Sequence, residues 1–149
     1  MRAVIQRVSC ASVQVENEIT GRIEQGLVVL LGIHETDTTQ DIKWMAEKTV
    51  NLRIFEDSEG KMNRSLADID GEMLIISQFT LYGDCRKGRR PGFSNAAPPE
   101  FAEPMYQQFV EEVKKHHIKV ATGIFQATMK VELVNNGPVT LLLDSEKNF

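Results

Sequence analysis

The stretch GLVVLLGI, residues 26–33, decides the fold class of this chain. It is too apolar to alternate between a buried and an exposed face, and it is bounded by glycines. Such a run is typical of a β-strand that is buried on both faces. The stretch MLII, residues 73–76, predicts a second buried strand, which we expect to run on through residues 77–81.

Before the first buried strand, apolar and polar residues alternate as they do in half-buried strands. The alternation predicts strands over 4–8, 12–16 and 19–23, with a turn at 17–18. After it, Asp37 and Gln40 resemble a capping box. Apolar residues then recur at helical spacing, which predicts an amphipathic helix over about 38–52. A short strand over 52–55 and a polar turn over 57–61 follow.

The C-terminal half begins with a loop over 83–99 that is rich in Gly, Pro, Asn and basic residues. A second helix is predicted to start between Pro99 and Pro104 and to end at His116 and His117. Two strands, over about 127–134 and 138–144, then flank Asn-Asn-Gly-Pro. We therefore predict one domain over residues 1–149, of the α+β class. It would hold two main helices and a β-barrel-like or curved mixed sheet of about seven strands.

Composition excludes several classes of function. Seventeen Lys and Arg against 21 Asp and Glu give a net charge of −4, so non-specific coating of a polyanion is disfavoured. The longest apolar run, residues 27–31, is far too short to span a membrane, and the N-terminus lacks a signal-peptide pattern. Cys10 and Cys85 are far apart and have no CxxC spacing, which favours two reduced thiols in a cytoplasmic protein.

Neither a metal nor a cofactor is expected from the sequence. The three histidines are His34 and the adjacent pair His116 and His117. Adjacent helical residues point about 100° apart, so that pair cannot chelate one ion from one face of a helix. GxGxxG, Walker A and GxSxG patterns are absent, which removes the usual nucleotide-binding loops and the common hydrolase elbow.

Polar side chains end the second buried strand in SQFTLYGD, residues 77–84. In one interpretation their hydroxyl groups cap the following loop. In the other, they form the floor of a pocket, with Thr80 as a possible nucleophile. A threonine hydroxyl needs a general base, and no His, Lys or Glu lies within the motif. A base would have to come from elsewhere in the fold.

A second polar motif, NNGPVT, covers residues 135–140. From spacing alone, the favoured interpretation is a hairpin turn. A Gly-Pro bond can be cis, and a glycine leaves the backbone bare enough for the Gly137 carbonyl to approach a ligand.

Taken together, these motifs resemble the D-aminoacyl-tRNA deacylase family. The resemblance covers nearly the whole chain: MRAVIQRVSCASV at the start, GLVVLLGI, SQFTLYGD, KGRRPGFSNAA and the closing TGIFQATMKVELVNNGPVT. The pairing of SQFTL with NxGPVT at this separation is the specific part. The chain departs from the family at Gln126, where glycine is usual, and this residue neighbours the expected adenosine contact.

The resemblance implies a homodimeric hydrolase that cleaves the ester joining a D-amino acid, or glycine, to the terminal adenosine of tRNA. Its active site would lie at the dimer interface, without cofactor, metal, membrane or DNA. Its expected catalytic residues are Gln78, Phe79 and Thr80. Its expected substrate-binding residues are Ser77, Phe125, Arg7, Gly137 and Pro138.

Within that resemblance, the Gly137 and Pro138 carbonyls of one subunit would face the SQFTL segment of the other across a cis peptide bond. They would accept from the substrate ammonium and refuse an L side chain by steric clash. Phe125 would stack on adenine, and Arg7 would help to hold the Gly-Pro segment. Because no base is visible, Thr80 is favoured as a positioning residue over a covalent nucleophile.

Three questions stay open on the sequence. The basic run over 86–90 is either a solvated loop or a contact to acceptor-end phosphates. The chain could instead be a non-catalytic module that binds RNA ends. It could also be a general esterase or thioesterase that acts through Thr80 on small esters.

Overall fold

The computed structural model describes all 149 residues. The elements in chain order are β1 (Arg2–Val15), β2 (Glu18–Ile23), β3 (Gly26–Gly32), α1 (Thr39–Asn51), β4 (Phe55–Glu56), β5 (Met62–Arg64), β6 (Glu72–Ser77), a 3-10 helix (Phe79–Tyr82), α2 (Pro99–Lys114), β7 (Lys119–Thr122) and β8 (Met129–Asp144). Neither α-helix is long and apolar enough to cross a membrane.

One mixed sheet forms the centre of the domain, in the order β2-β1-β3-β6-β7, and β8 pairs along β1. β1 is antiparallel to β2, β3 and β8, whereas β3, β6 and β7 run parallel. The sheet curls until β2 approaches β7. A Cβ on Gly21 would lie only 2.7 Å from the carbonyl oxygen of Thr122. The predicted α+β class, the two main helices and the barrel-like mixed sheet are confirmed.

The core lies on both faces of the curled sheet. A cluster of 24 buried residues packs one face against α1 and α2. A second cluster of seven fills the other face: Val8, Ala11, Val13, Ile23, Val28, Leu74 and Ile76. β3 is buried along almost its whole length, which explains why its sequence does not alternate.

The N-terminus of α1 lies one residue later than predicted. Thr38 is the N-cap and forms a capping box with Asp41, so the predicted pair Asp37 and Gln40 is wrong. The Asp37 carboxylate instead accepts a hydrogen bond from the backbone N–H of His34 at 2.8 Å and forms a buried ion pair with the amino group of Met1. Both pairs have the sequence spacing of a capping box, and tertiary contacts decide between them.

The predicted hairpin at Asn-Asn-Gly-Pro is also wrong. Residues 129–144 form one strand that pairs with β1 on both sides of the motif. Val8 is opposite Asn135, but Gln6 is opposite Thr140. Between these two pairs β8 advances by five residues and β1 by only two. The motif is therefore a wide bulge that leaves the strand direction unchanged.

Four smaller differences concern strand limits. The predicted strands over 4–8 and 12–16 are one strand, β1, with an irregularity in its pairing around Ser9 and Cys10. The second buried strand ends at Ser77, and the 3-10 helix replaces the expected extension to residue 81. The strand expected over 52–55 is reduced to β4. The short strands β5 and β7 were not predicted.

Candidate active site

A cavity of about 630 Å³ opens where β3 and β6 end. Because β3 and β6 are parallel, their carboxyl ends meet at one edge of the sheet, the usual place for a site in such an arrangement. The lining residues come from these strand ends and the 3-10 helix, the loop before α2, the first turns of α2, the segment between β7 and β8, and the start of β8: Leu31, Ile33, Ile76, Ser77, Gln78, Phe79, Phe93, Ala96, Ala97, Pro98, Pro99, Ala102, Phe125, Gln126, Ala127, Met129 and Val131.

None of these lining residues is titratable. The cavity is mostly apolar, and its polar side chains are a hydroxyl and two amides, those of Ser77, Gln78 and Gln126. No group of three or more His, Cys, Asp or Glu side chains is placed to hold a metal ion. A reaction in this cavity therefore depends on shape, backbone groups and the substrate's own functional groups.

The 3-10 helix supplies backbone donors beside the cavity. Gln78 is fixed to the end of β3 because its N–H donates to the carbonyl of Leu31 at 2.8 Å. The next two N–H groups, of Phe79 and Thr80, open the helix and have no partner within it. Two adjacent free N–H groups are the donors that a developing oxyanion requires.

Thr80 has a partner for its hydroxyl, but that partner is not a base. The side-chain amide of Gln78 donates to Thr80 Oγ1. The imidazole of His34 contacts Thr36 Oγ1 at 2.8 Å and lies against the ring of Tyr82, and it makes no hydrogen bond to Thr80. No basic group of this chain is hydrogen-bonded to the Thr80 hydroxyl, which disfavours a covalent mechanism.

Phe125 is a half-buried residue that lines the cavity from the segment between β7 and β8. Its ring lies against that of Tyr106, with centroids 5.9 Å apart. Tyr106 is held in turn by a hydrogen bond from its hydroxyl to the carbonyl of Ile75 at 2.7 Å, and burial raises the pKa of that hydroxyl. Gln126 follows with a φ of +64°, a conformation that glycine adopts more readily.

Arg7 braces the bulge in β8 from inside the protein. Its Nε donates to the carbonyl of Asn136 at 3.0 Å and its Nη1 donates to the carbonyl of Ile54 at 2.7 Å. The Asn135 side chain donates to the carbonyls of Arg7 and Val139 at 3.0 and 2.9 Å. These bonds hold both ends of the bulge.

At the centre of the bulge, Gly137 and Pro138 are exposed and joined by a cis peptide bond, as the resemblance implies. Gly137 has a φ of +123°, and a Cβ there would lie 2.7 Å from Nη2 of Arg7. Only a glycine fits between the brace and the strand.

The structure brings some of the expected site residues together and separates others. Ser77, Gln78, Phe79 and Phe125 line one cavity, with Thr80 next to them. Arg7 of β1 and Gly137 and Pro138 of β8 form a second group, and none of them lines the cavity of the same chain.

Sequence reasoning missed the loop before α2 as a wall of the cavity. Phe93 contacts Phe79 edge to face, with centroids 5.2 Å apart, and Ala97 is tied to the end of β3. An aromatic residue placed next to four basic ones was the available signal for Phe93.

Arg2 contributes a second brace from β1. Its Nη1 donates to the carbonyl of Leu81, in the 3-10 helix, at 3.3 Å, and its Nε pairs with Asp144 at 3.3 Å. Its guanidinium carbon lies 4.6 Å from the centroid of the Tyr82 ring. Burial is the main cause of the raised pKa of Tyr82. Strand β1 thus holds the cavity floor through Arg2 and the bulge through Arg7.

Comparison with known proteins identifies the class of enzyme. Residues 4–144 match the sequence profile of the family described as D-Tyr-tRNA(Tyr) deacylase. The match spans the cavity residues and the bulge. The chain belongs to this family, and it is a hydrolase that acts on an ester bond.

Individual relatives agree over the whole chain. The chain is 68% identical to the D-aminoacyl-tRNA deacylase of Desulfotalea psychrophila and 62% identical to that of Thermosipho africanus, with all of both chains covered in each case. The solved structure of c-Myc DNA Unwinding Element Binding Protein superposes with a TM-score of 0.91 at 42% identity, over 97% of this chain and 98% of that one.

Proposed function

We propose that this protein hydrolyses the ester of D-aminoacyl-tRNA, and of mischarged glycyl-tRNA, and releases the free amino acid and tRNA. The observation that carries the proposal is a cavity without titratable side chains, beside two open backbone N–H groups at Phe79 and Thr80. An aminoacyl ester is an activated substrate that needs little help from side chains. Family membership and the names of the relatives point to the same substrate.

In the proposed reaction, water attacks the ester carbonyl carbon and the carbonyl oxygen becomes an oxyanion. The N–H groups of Phe79 and Thr80 donate to that oxygen. The bond between the carbonyl carbon and the ribose oxygen then breaks, and the ribose oxygen takes up a proton originating from the water. The neighbouring ribose hydroxyl, held in place by binding, orients the water. The hydrogen bond from the Gln78 side-chain amide to the Thr80 hydroxyl helps to hold this segment of backbone in place.

Binding of the terminal adenosine is assigned to the far side of the cavity. The apolar walls and the half-buried ring of Phe125 suit a nucleobase, which can stack on an aromatic face. Ser77 and Gln78 supply hydrogen-bonding groups on the opposite side. The volume of about 630 Å³ lies in the range of ordinary small-ligand sites.

The second subunit is assigned a direct part in the site. β8 pairs only with β1, so its other edge is open over 16 residues. Val134 and Leu142 on this strand are more than half exposed. An open apolar edge of this length is a surface that a second copy can cover. The second copy would place its Gly137 and Pro138 at the mouth of this cavity. The same two residues of the chain itself do not line the cavity.

Chiral selection is assigned to the Gly137 and Pro138 carbonyls of the partner. A rigid backbone wall can accept hydrogen bonds from the ammonium and leave no room for a side chain on the L side. The brace from Arg7 gives the rigidity that such rejection requires. Glycine, without a side chain, is expected to pass the filter.

The test of activity and selection is hydrolysis of D-Tyr-tRNA, L-Tyr-tRNA and Gly-tRNA by catalytic amounts of protein. Release from the D and glycyl esters alone is expected. Equal cleavage of the D and L esters would exclude the filter. Binding without any turnover would favour the RNA-end module instead.

The test of the shared site is complementation between two damaged subunits. Ala127→Trp fills the cavity from an exposed loop, and Gly137→Ala displaces the bulge. Random re-association of the two inactive variants should restore about a quarter of the wild-type sites, since half of the dimers are mixed and each has one intact site. If each site lies within one chain, mixing restores nothing.

A further inference from the structure

The loop between the 3-10 helix and α2 is pinned at both of its ends. Asp84 and Gly92 exchange two backbone hydrogen bonds, of 2.7 and 2.9 Å, and close residues 84–92 into a tight loop. Further along, the N–H of Ala97 donates to the carbonyl of Ile33 at 2.9 Å. The loop is therefore presented at a fixed place next to the cavity mouth.

The four basic residues of this loop are not equivalent. Arg86 forms a two-pronged pair with Asp84, at 2.9 and 2.7 Å, and this hydrogen bonding lowers the pKa of Asp84 to about 2. Lys87, Arg89 and Arg90 are exposed and make no ion pair or hydrogen bond from their side chains. Three unpaired cations within four positions are a local exception on a chain of net charge −4.

Two exposed aromatic rings line the cavity near this basic run, and Phe93 follows Arg90 by three residues. Phe79 is 57% exposed and Phe93 is 40% exposed, and they meet edge to face at 5.2 Å. Gly83 makes this approach possible, because a Cβ there would lie 3.1 Å from the Phe93 ring. Exposed rings of this size are normally covered by a ligand or a partner.

We propose that Lys87, Arg89, Arg90 and the Phe79–Phe93 pair form one binding surface for the single-stranded nucleotides that precede the terminal adenosine of the RNA. The cations contact the phosphates, and the aromatic pair stacks one of the preceding bases. Unpaired positive charge beside exposed rings is the combination that single-stranded nucleic acid requires. This assignment rests on the proposed function, because it continues the strand out of the cavity that holds the adenosine.

Direct binding tests the surface without any need for catalysis. The probes are an RNA hairpin with a single-stranded ACCA 3′ end that carries no amino acid, and the same hairpin without the overhang. We expect the overhang to raise affinity. Arg89→Gln with Arg90→Gln should make the salt dependence of log K less steep by about 1.4, or 0.7 for each lost phosphate contact. Phe93→Leu should weaken binding of the overhang at least about fivefold.

Two further variants serve as controls for charge. Lys114→Gln removes one positive charge about 18 Å along α2 from Ala102, at a rise of 1.5 Å per residue, and should change nothing. Arg86→Gln removes a charge from the loop itself but should leave the salt slope unchanged, because Arg86 is already paired. Equal slopes for wild type and for the Arg89 and Arg90 double variant would overturn the proposal.

A kinetic experiment separates this surface from the cavity. The double variant should raise KM for D-Tyr-tRNA but hydrolyse the D-tyrosyl ester of adenosine, which has no phosphate, as the wild type does. An equal loss of activity on both esters would show that Arg89 and Arg90 contribute to folding or to the cavity, and not to a separate RNA-binding surface. If the wild-type protein hydrolyses neither ester, the proposed function fails, and the binding measurement still decides on the surface.

Discussion

Arg7 donates from Nε to the carbonyl oxygen of Asn136 at 3.0 Å, across 129 residues of sequence. Arg7 is buried, with only 7% of the residue exposed, and its guanidinium makes no ion pair. Backbone carbonyls from β8 and from the segment before β4 take the place of a carboxylate. The Arg7 side chain, together with that of Asn135, therefore fixes the position of the bulge.

Arg7→Lys should destabilise the protein by about 1.5–3 kcal/mol, because an ammonium cannot reach both carbonyls with the geometry of a guanidinium fork. Chemical denaturation measures the change. Arg22→Lys is the matched control, since Arg22 is exposed on β2 and has no hydrogen-bonded partner; its change should stay within about 0.5 kcal/mol. Equal effects would show that the Arg7 contacts do not hold the bulge.

Gly137→Ala should cost at least about 2 kcal/mol of folding stability and abolish hydrolysis of the D ester, because a displaced bulge no longer presents its carbonyls to the substrate ammonium. The added Cβ meets both Arg7 Nη2 and the Val139 side chain, at 2.7 and 2.9 Å. Gly60→Ala is the control: its φ is also positive, at +76°, but nothing lies within 4 Å of the new Cβ. We expect about 1 kcal/mol there. Unfolding by urea and parallel hydrolysis assays give both readouts.

Thr80→Ala should keep most of the activity. The substitution removes the hydroxyl and leaves the backbone N–H in place. The fall in kcat should therefore be smaller than the roughly hundredfold loss that follows removal of an oxyanion-hole donor. Single-turnover hydrolysis of D-Tyr-tRNA is the measurement. A drop to the uncatalysed rate would restore Thr80 as the nucleophile.

Glu72→Gln should destabilise the protein at pH 7 by up to about 1 kcal/mol, and the effect should shrink as the pH falls through the lowered pKa of Glu72. Glu72 accepts from Lys119 Nζ at 2.6 Å and from the N–H of Glu24 at 2.9 Å, and hydrogen bonding to Lys119 is the main cause that lowers its pKa. A lowered carboxyl pKa gives stability above the ordinary value of 4.5, which is lost as pH falls through the lowered pKa. Glu47→Gln, on the exposed face of α1, is the control for loss of a carboxylate and should change stability at pH 7 by less than about 0.5 kcal/mol.

Val134→Asp combined with Leu142→Asp should convert the proposed dimer into monomers and abolish hydrolysis. Dimer formation along the open edge of β8 would otherwise bury two carboxylates in each subunit. Sedimentation velocity and circular dichroism distinguish dissociation from unfolding. Ile19→Asp changes a residue of similar exposure, 52%, on β2 and should leave the assembly intact. A fully active monomer would contradict the shared site.

The sequence could predict elements whose signal is local. β3 and the two helices follow from hydrophobic pattern, and their limits are close to those observed. The Asn-Asn-Gly-Pro motif misled for a physical reason: its composition favours a tight turn, but β1 continues past it and offers partners on both sides. Long-range pairing overrides local preference at this motif.

The candidate site shows the same division. The polar residues Ser77 and Gln78 stand out in a buried strand and could be found by inspection. Ala97 could not, and Phe93 had only its place beside the basic run as a signal, because closure of the loop onto Asp84 and Ile33 brings both to the cavity. Thr38 was missed as the N-cap because a buried ion pair uses Asp37.

β1 braces two places through two arginines, five residues apart, that act on Leu81 and Asn136. In the proposed dimer these two places belong to different active sites, one in the subunit's own cavity and one in its partner's. A shift of this strand along its axis would then reach both catalytic centres at once. In that proposed dimer, each first strand would link the two active sites mechanically, so that a substitution which displaces β1 should affect both.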